Sequence, residues 1–380
     1  KAELRVDAPN NALLADVRRR TATEAGLNAA EAGAYDAFFA NFDREASVRD
    51  AVLSKTDAAS FANLYDQFLP DFTGSLFHTL AAASDATNRA LDENNGVIGG
   101  EGLRVWTQEI AFLVKRDVDR TTNYDANGFG LAGGVETSYA GVGTVGLMTS
   151  FVNVDVDDDF AAAAESLGGQ VFSAGVYWRD QAGGLPANLG LNGGYAKMKS
   201  TRVVNDVTAG LNREAKSDWN GVTFSAHAGL AYQFDAGRFY AKPKLTADYF
   251  LLKEDGRSES GGGEAIDLSI EKRSSDQFSG FAGVTFGARF GEESAFAWVP
   301  ELTAGWRQAT GGGADVTTAR FVAGGPSFSL EAPDLSGGGP VVRLALRGQG
   351  DYFDFAVEGG GEYRDDYEAY DGRIVVRFLF

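Results

Sequence analysis

The chain has 380 residues, a formal net charge of −19, 49 glycines, two histidines and no cysteine. Without cysteine there is no disulfide framework and no thiolate metal site, and His78 and His227 alone leave little scope for histidine metal clusters or acid–base catalysis. The negative charge argues against nucleic acid, because binding phosphates requires a basic stripe. We therefore expect no enzymatic activity, no cofactor and no nucleic-acid partner.

No segment approaches the run of roughly 20 apolar residues that a membrane helix needs. The start, Lys1-Ala2-Glu3-Leu4-Arg5, is charged and has no apolar run behind it, so an export signal would lie upstream of residue 1 or have been removed. The chain is therefore expected to be either soluble or a β-barrel.

Residues 1 to about 95 are predicted to be helical, because alanine, leucine and charged residues dominate and glycine is scarce. Asp57 is a candidate N-cap, and Pro70 marks a break. Asp71 or Thr73 is a candidate cap for a last helix that ends near residues 94–96. Apolar residues at helical spacing are Leu13, Leu14, Val17 and Thr21; Phe38, Phe39 and Phe42; Phe61, Leu64, Tyr65, Phe68 and Leu69; and Leu76, Phe77 and Leu80.

After Gly102 the hydrophobic period changes to two. From Trp219 to Phe234, for example, apolar and aromatic residues alternate with small and polar ones, as in strands with one dry and one wet face. Such segments predict about twelve strands, at 104–116, 127–139, 142–154, 168–181, 186–199, 218–234, 237–253, 274–290, 294–309, 340–350, 352–364 and 369–380.

Three features favour an antiparallel outer-membrane β-barrel over a soluble sandwich. Many strands exceed a dozen residues, against roughly five or six in globular sheets. Short connections near 141–143, 181–185, 235–237 and 291–294 alternate with long ones at 153–166, 200–218, 254–276 and 308–340, which predicts periplasmic turns and surface loops. Aromatic residues expected in interfacial girdles are Tyr177, Trp178, Trp219, Phe234, Phe239, Tyr240, Phe296, Trp298 and Trp306. An even strand count would put both barrel ends on the periplasmic side.

The last predicted strand has apolar residues at alternate positions and ends on an aromatic one. This pattern resembles the C-terminal assembly signal of outer-membrane barrels, and the resemblance implies recognition by the barrel assembly machinery. The residues of the signal are Ile374, Val376, Phe378 and Phe380.

Residues from about 60 to 380 resemble the autotransporter (type V secretion) translocator domain of Gram-negative bacteria. The matching stretches are Leu64 to Asp71, the helix that follows, Arg104 to Gln108, Gly128 to Val135, Pro300 to Trp306, and Phe380. The resemblance implies a monomeric barrel in the outer membrane that contacts lipid and lipopolysaccharide, is inserted with periplasmic chaperones and the assembly machinery, and exports its own N-terminal passenger to the cell surface. A helix before the barrel would thread the lumen.

Three regions are expected. Residues 1–60 are a helical pre-barrel region or passenger stub, 61–101 a linker and lumen helix, and 102–380 the translocator barrel. A barrel of this size encloses more space than its inward side chains fill, which favours a plug. The polar plug residues Asp85, Asn88, Arg89, Asp92 and Glu93 are expected to bond to lumen residues such as Lys197, Arg307 and Arg347.

Alternatives remain for several features. Asn94 and Asn95 are either a helix end, the favoured interpretation, or a junction cut by asparagine cyclisation. Asp155, Asp157, Asp158 and Asp159 are interpreted as a solvated loop rather than a calcium site. The glycine triplets at 261–263, 311–313 and 337–339 are interpreted as flexible loops, and His227 as a lumen residue. A porin-like diffusion channel is the alternative function, against which the helical N-terminus argues.

Overall fold

The computed structural model describes residues 2–10, 12–92, 102–117, 123–158, 165–180, 185–291, 296–333, 335, 337–350 and 353–379. No helix within these residues is long and apolar enough to cross a membrane. The elements in chain order are β1 (Ala2–Asp7), β2 (Ala12–Val17), α1 (Ala29–Phe39), α2 (Ala46–Leu53), α3 (Ala58–Asp66), α4 (Ser75–Asn88), β3 (Leu103–Arg116), β4 (Tyr124–Tyr139), β5 (Gly143–Asp158), β6 (Glu165–Asp180), β7 (Ala187–Asp206), β8 (Leu211–Ala231), β9 (Phe234–Ala236), β10 (Phe239–Glu254), β11 (Arg257–Ser258), β12 (Leu268–Ile270), β13 (Arg273–Ala288), β14 (Ala297–Gly313), β15 (Thr317–Phe321), β16 (Phe328–Leu330), β17 (Gly337–Gln349), β18 (Phe353–Arg364) and β19 (Tyr367–Leu379).

Twelve strands form the barrel. They are β3–β8, β10, β13, β14 and β17–β19, each antiparallel to its neighbours. The pairing of β19 with β3 and of β10 with β13 leaves no open edge among them, as a structure in hydrocarbon requires. The predicted barrel of about twelve antiparallel strands is confirmed.

The two faces of the strands follow the period-two pattern. On β8, Val222, Phe224 and Leu230 point outward and are exposed, whereas Thr223 and His227 point inward and are buried. Two rings of outward aromatic residues bound the apolar belt. The ring toward one end is Phe129, Phe151, Phe172, Tyr195, Phe224, Tyr249, Phe278, Trp306, Tyr363 and Tyr370; the ring toward the other is Tyr139, Trp178, Tyr232, Phe234, Phe239, Phe286, Trp298, Phe353 and Phe378.

Three of the predicted girdle residues point into the barrel instead. These three residues, Tyr177, Trp219 and Tyr240, are buried, and the hydroxyl or indole N–H of each donates to an inward carboxylate. The Tyr177 hydroxyl lies 2.6 Å from Glu136, the Trp219 indole nitrogen lies 3.0 Å from Glu254, and Tyr240 bonds to Glu301. An aromatic ring with a polar atom suits a lumen that supplies acceptors as well as a membrane interface.

Two ends of the barrel differ, and we name them by their connections. The short-turn end carries the connections that follow β4, β6, β8, β13 and β17, and the long-loop end carries the others. The predicted loop at 200–218 is wrong, because β7 runs to Asp206 and β8 begins at Leu211. The β7–β8 hairpin extends beyond the apolar belt of the barrel, and its inward side chains are buried against other segments of the chain.

The two longest predicted loops contain strands. β11 and β12 lie in the connection that follows β10, β15 and β16 lie in the one that follows β14, and the four form a separate antiparallel sheet. Two glycine triplets interpreted as loops lie in strands instead, at 311–313 in β14 and 337–339 in β17.

The N-terminal region is helical only in part. β1 and β2 form an antiparallel hairpin, so the helix predicted at Leu13, Leu14 and Val17 is wrong. Leu4 and Val6 alternate with charged residues at period two, and Pro9-Asn10 is a turn signal, which explains the hairpin.

Helices α1 and α3 begin where the sequence supplies capping side chains. The Asn28 side chain accepts from the Glu31 amide at 2.9 Å, and the Glu31 carboxylate accepts from the Asn28 amide at 2.5 Å, a capping box. Asp57 caps α3 as predicted, accepting from the Ser60 amide at 2.8 Å. Because the Ser60 amide and hydroxyl donate to this carboxylate, the pKa of Asp57 lies below its ordinary value.

Helices α1 to α3 and the four-stranded sheet of β11, β12, β15 and β16 share one hydrophobic core at the long-loop end. We call this unit the cap: α1–α3, β11, β12, β15, β16 and the ends of β7 and β8 beyond the belt. The buried residues include Phe38, Val48, Tyr65 and Phe68 from the helices, Ile266, Leu268, Phe321 and Leu330 from the loops, and Val204, Leu211 and Ala215 from the hairpin. The cap is therefore built from both the N-terminal region and the barrel.

Candidate functional site: the plugged lumen

The α4 helix lies inside the barrel, against β3–β6 and β10. It begins after Gly74, whose φ of 72° is in the left-handed region that favours glycine. The Thr73 hydroxyl accepts from the Ser75 amide at 3.1 Å and donates to Asp71 at 2.6 Å. Both predicted capping residues therefore act at this start, although neither is the N-cap residue itself.

One side of α4 packs on an apolar part of the lumen wall. Leu76, Phe77 and Leu80 are buried in the same cluster as inward residues of several strands, and the rings of Phe77 and Phe250 lie 5.7 Å apart. The strand residues of this cluster include Ile110, Phe112, Val114, Val152, Val154, Val156 and Val171. The expectation of a wet inner face is therefore wrong for this part of the wall.

The sequence of β5 explains the dry wall. Beyond Phe151, which belongs to the aromatic ring toward the long-loop end, Val154 and Val156 point inward, whereas Asp155 and Asp157 point outward and are exposed. The polar and apolar faces therefore exchange sides once the strand leaves the belt. The two aspartates lie on the solvated exterior, and no group of three or more His, Asp or Glu side chains that could hold a metal ion occurs in the ranges that the structure describes. Asp159 lies outside those ranges.

The opposite wall of the lumen is charged, and Asp85 and Arg89 of the plug meet it. Asp85 accepts from Arg307 on β14 at 2.6 Å and from Arg89, one helical turn away, at 2.6 Å. Arg89 in turn bonds to Asp371 on β19 and lies 3.6 Å from Glu358. A single helix turn is thus tied to strands of the charged wall by ion pairs that are almost completely buried.

A second polar cluster surrounds the end of the plug. Asp92 accepts from Asn188 at 3.2 Å and lies 2.8 Å from Nε2 of His227, whose Nδ1 lies 2.6 Å from Asp248. Each ring nitrogen therefore faces a carboxylate, an arrangement that a doubly protonated imidazole satisfies. Lys244 lies 3.9 Å from Asp92. His227 was predicted only as a lumen residue, because sequence spacing does not reveal that strand and plug carboxylates would flank it.

Asn88 and the predicted wall partners divide into those that meet the plug and those that do not. Asn88 accepts from Asn192 at 3.1 Å. Arg307 meets the plug, but Arg347 bonds to Glu301 at 2.5 Å instead. Lys197 is exposed on the outward face of β7, so its predicted lumen position is wrong.

Several predicted site residues fall where less is described. Glu93, Asn94 and Asn95 lie outside the described residues, as does Phe380. Ile374, Val376 and Phe378 are outward residues of β19, and β19 pairs with β3 to close the barrel. The roles assigned to the junction and to the assembly signal therefore stay predictions.

Clefts remain beside the plug: one on its apolar side is lined by Leu80, Ala83, Val152 and Val171 among others, and two are on its charged side. One, of about 730 Å³, is lined by Asp85, Arg307, Arg343, Glu362 and Tyr367 among others. The other, of about 570 Å³, lies nearer the short-turn end and includes Asp92, Lys244, Glu301, Arg347 and Glu358. The plug therefore leaves space along both the charged and the apolar side of the lumen.

The cap fixes the chain just before it enters the lumen. Arg202 on β7 is fully buried and donates to the backbone carbonyl of Gln67 at 2.6 Å and to that of Ile266 at 2.8 Å. It also donates to Glu259, 3.1 Å away. One guanidinium therefore joins the end of α3, the connection between β10 and β13, and the β7–β8 hairpin. Sequence analysis missed this residue, because nothing in its neighbourhood marks it as buried.

Comparison with known proteins places this architecture. Residues 105–352, more than half of the chain, match the family model "Autotransporter beta-domain". No curated protein matches the chain in sequence. Solved structures with a similar fold include the NalP translocator domain of Neisseria meningitidis, at 16% identity and a TM-score of 0.59, with 80% of this chain and 98% of that chain covered.

Two further translocators share the fold. The AIDA-I transport unit of Escherichia coli aligns at 14% identity and a TM-score of 0.54, covering 82% of this chain and all of that one (100%). The β-domain of the Bordetella autotransporter BrkA aligns at 13% identity and a TM-score of 0.52, covering 73% and 100%. With a closed barrel of twelve strands, a helix in its lumen and a family model matched across most of its strands, this chain belongs to the autotransporter β-domain family.

Proposed function

We propose that the long-loop end of this barrel lies at the cell surface and the short-turn end in the periplasm, with the cap outside the cell. As a member of the autotransporter family, the chain is an outer-membrane translocator for its own N-terminal passenger. The orientation is supported by the connections, because outer-membrane barrels have short periplasmic turns and longer surface loops. It implies that the passenger precedes or includes the cap.

The observation that carries this proposal is the path of the plug. Leu76 contacts the wall near the long-loop end, and Asp92 binds Asn188 and His227 near the short-turn end. The chain therefore runs through the lumen from the proposed outside to the periplasmic side, where β3 begins. This is the position expected of a segment left in the lumen once the residues before it have been exported.

Cysteine labelling tests the orientation, because the chain has no cysteine of its own. Val207 at the long-loop end is 85% exposed, and Leu185 at the short-turn end is 48% exposed. In intact cells, an impermeant maleimide should label Val207→Cys and leave Leu185→Cys unlabelled until the outer membrane is opened. The reverse pattern would overturn the orientation.

Conductance in planar bilayers tests the plug. The intact chain should conduct poorly, because α4 fills much of the lumen, and a variant without residues 1–95 should form large, steady pores. A variant without residues 1–20 is the matched control, since it loses the β1–β2 hairpin and keeps α4; it should stay closed. Large steady pores in the intact chain would favour a diffusion channel instead.

We propose lipid, lipopolysaccharide, periplasmic chaperones and the barrel assembly machinery as further partners, and no catalytic role. In the sequence, Phe380 continues the series of apolar residues at every second position formed by Ile374, Val376 and Phe378. Removing Phe380 should lower the amount of barrel inserted in the membrane without lowering its synthesis. Asn94 and Asn95 stay a candidate cleavage junction, and the mass of the barrel fragment from cells checks it: cleavage after Asn94 gives a fragment that starts at Asn95.

A further inference from the structure

A single acidic side chain interrupts the apolar belt of the barrel. Glu109 on β3 points outward, between Thr107 and Ala111 on the same face. Its partners across the strand pairs are Leu131 and Ile374, both outward and exposed, at 48% and 47%. Among outward residues between the two aromatic rings, within the described ranges, Glu109 is the only ionisable one.

Glu109 lies near the middle of the belt. Its neighbour Ile374 is four residues from Tyr370 and four from Phe378, which belong to opposite aromatic rings. With a rise of about 3.4 Å per residue and a tilt of about 40°, four residues correspond to about 10 Å along the membrane normal. A glutamate side chain is too short to cover that distance, so its carboxylate cannot reach the headgroups in the way that lysine and arginine do.

Nothing within the described part of the chain pairs with this carboxylate by a hydrogen bond or ion pair. The nearest outward cation on the same strand is Lys115, six residues away and 3.5 Å from Asp125. Charged groups at membrane depth are costly and are retained where they pair with another group. The position of Glu109 therefore indicates a partner outside this chain.

We infer that Glu109 marks a surface that binds a different integral outer-membrane protein, one that presents an arginine or lysine at the same depth. A lipid headgroup does not supply the cation, because it lies about 10 Å away. A second copy does not supply it either, since its belt offers no outward cation within the described ranges and contact through the same face would place two carboxylates together.

The relief of the surface fits an approaching barrel or helix. The residues before and after Glu109 on its face of β3, Thr107 and Ala111, are small, and each has one glycine partner, Gly133 and Gly372, beside one large partner, Val376 and Phe129. The partners on either side of Glu109 itself, Leu131 and Ile374, are large, so the small side chains lie above and below the carboxylate along the strand. Small residues allow close approach between membrane segments, and a carboxylate in a low-dielectric contact forms short, charge-assisted hydrogen bonds with a guanidinium or ammonium group. The surface is therefore defined as Thr107, Glu109, Ala111, Gly133 and Gly372.

Site-specific photocrosslinking in outer membranes tests the inference. A benzophenone side chain at position 107 should give an adduct with one membrane protein, and Glu109→Leu or Glu109→Gln should lower its yield at least ten-fold. Leu302, four residues from Trp298 and from Trp306, is the control position at similar depth, and a probe there should not give that adduct. Any of four results would overturn the inference. The adduct could persist in the Glu109 variants, form equally from the probe at position 302, or join two copies of the chain; or the probe could label lipid alone.

A second measurement separates this partner from a role within the barrel. In vesicles of phosphatidylcholine, which contain no other protein, Glu109→Leu should raise the folding equilibrium constant of the full chain in urea titrations, because it removes a charge from the lipid face. A lower constant for Glu109→Leu would mean that the carboxylate stabilises the barrel itself, and the inferred surface would then be wrong.

Discussion

Replacing Asp85 with asparagine should release the plug from the charged wall. Asp85 is buried and joins Arg307 and Arg89 through contacts of 2.6 Å each. Removing one member of a buried ion pair usually costs about 3–5 kcal/mol. Here both arginines keep other carboxylates, Arg307 at 3.3 Å from Glu362 and Arg89 beside Asp371. The loss is therefore smaller, about 1.5–3 kcal/mol, in the range of hydrogen bonds to charged groups.

That free energy sets the expected conductance. Since 1.4 kcal/mol corresponds to a factor of ten, the fraction of time in which the lumen is open should rise about 10- to 150-fold in Asp85→Asn. Single-channel recording in planar bilayers measures this fraction directly. Ser84→Ala is the matched control, because Ser84 is the preceding residue and makes no side-chain hydrogen bond within the described residues; its open fraction should not change. A folded Asp85→Asn barrel as closed as the wild type would refute the idea that ion pairs hold the plug.

Three further outcomes are expected. Leu344 is on the outward face, opposite Gly359 and midway between the aromatic rings, so Leu344→Arg should destabilise the barrel in vesicles by about 2–4 kcal/mol. Leu230 lies next to the aromatic ring toward the short-turn end, so Leu230→Arg should destabilise it by only about 0–1 kcal/mol. Equal losses of stability would contradict the face and depth assignments. Arg202→Met should loosen the cap by about 3–5 kcal/mol, seen as faster proteolysis of α1–α3, with the barrel resistant; unchanged cleavage would count against the clamp. Because the pKa of Asp57 is lowered in the folded chain, its stabilising effect is present above the unfolded value of about 3.9 and is lost as pH falls from there through the lower folded value. The protection factors of the α3 amides, which compare their exchange with that of an unstructured chain at the same pH, should therefore fall below about pH 4, and less so in Asp57→Asn.

The barrel itself was predictable because lipid imposes a regular pattern. The outward residues of β8 or β19 have to be apolar at every second position, and no tertiary contact can replace that requirement. The strand count and most boundaries follow from it. Asp57 was predictable for a similar reason, since a capping aspartate acts within one turn of its own helix.

The inner side was harder to predict because protein, rather than lipid, surrounds it. Val154 and Val156 point inward, although apolar residues were expected to point outward, because the plug covers them. Tyr177 and Tyr240 were assigned to the membrane interface, since a tyrosine at a strand end suits either side and only the carboxylate opposite it decides. Lys197 was predicted to point inward because the sequence alone did not show which of two neighbouring residues on this strand faces the lumen.

Long-range partners left no local signal at all. The contact between Arg202 and the Gln67 carbonyl joins residues far apart in sequence, and so does the pair of Asp92 and His227. The β1–β2 hairpin was missed for a different reason, because four residues at helical spacing in a short segment also fit a strand.

The mixed origin of the cap core has a consequence for the direction of transport. In the orientation proposed here, Leu268 and Phe321 reach the outside when the barrel is inserted, whereas Phe38 and Tyr65 reach it only by passing through the lumen. Their burial together is available only after that passage, and pulling the helices back would expose all four side chains to water. Formation of the cap core at the long-loop end thus opposes movement of the helices back into the lumen. Outward transport of this segment is therefore favoured over its return without any external source of energy.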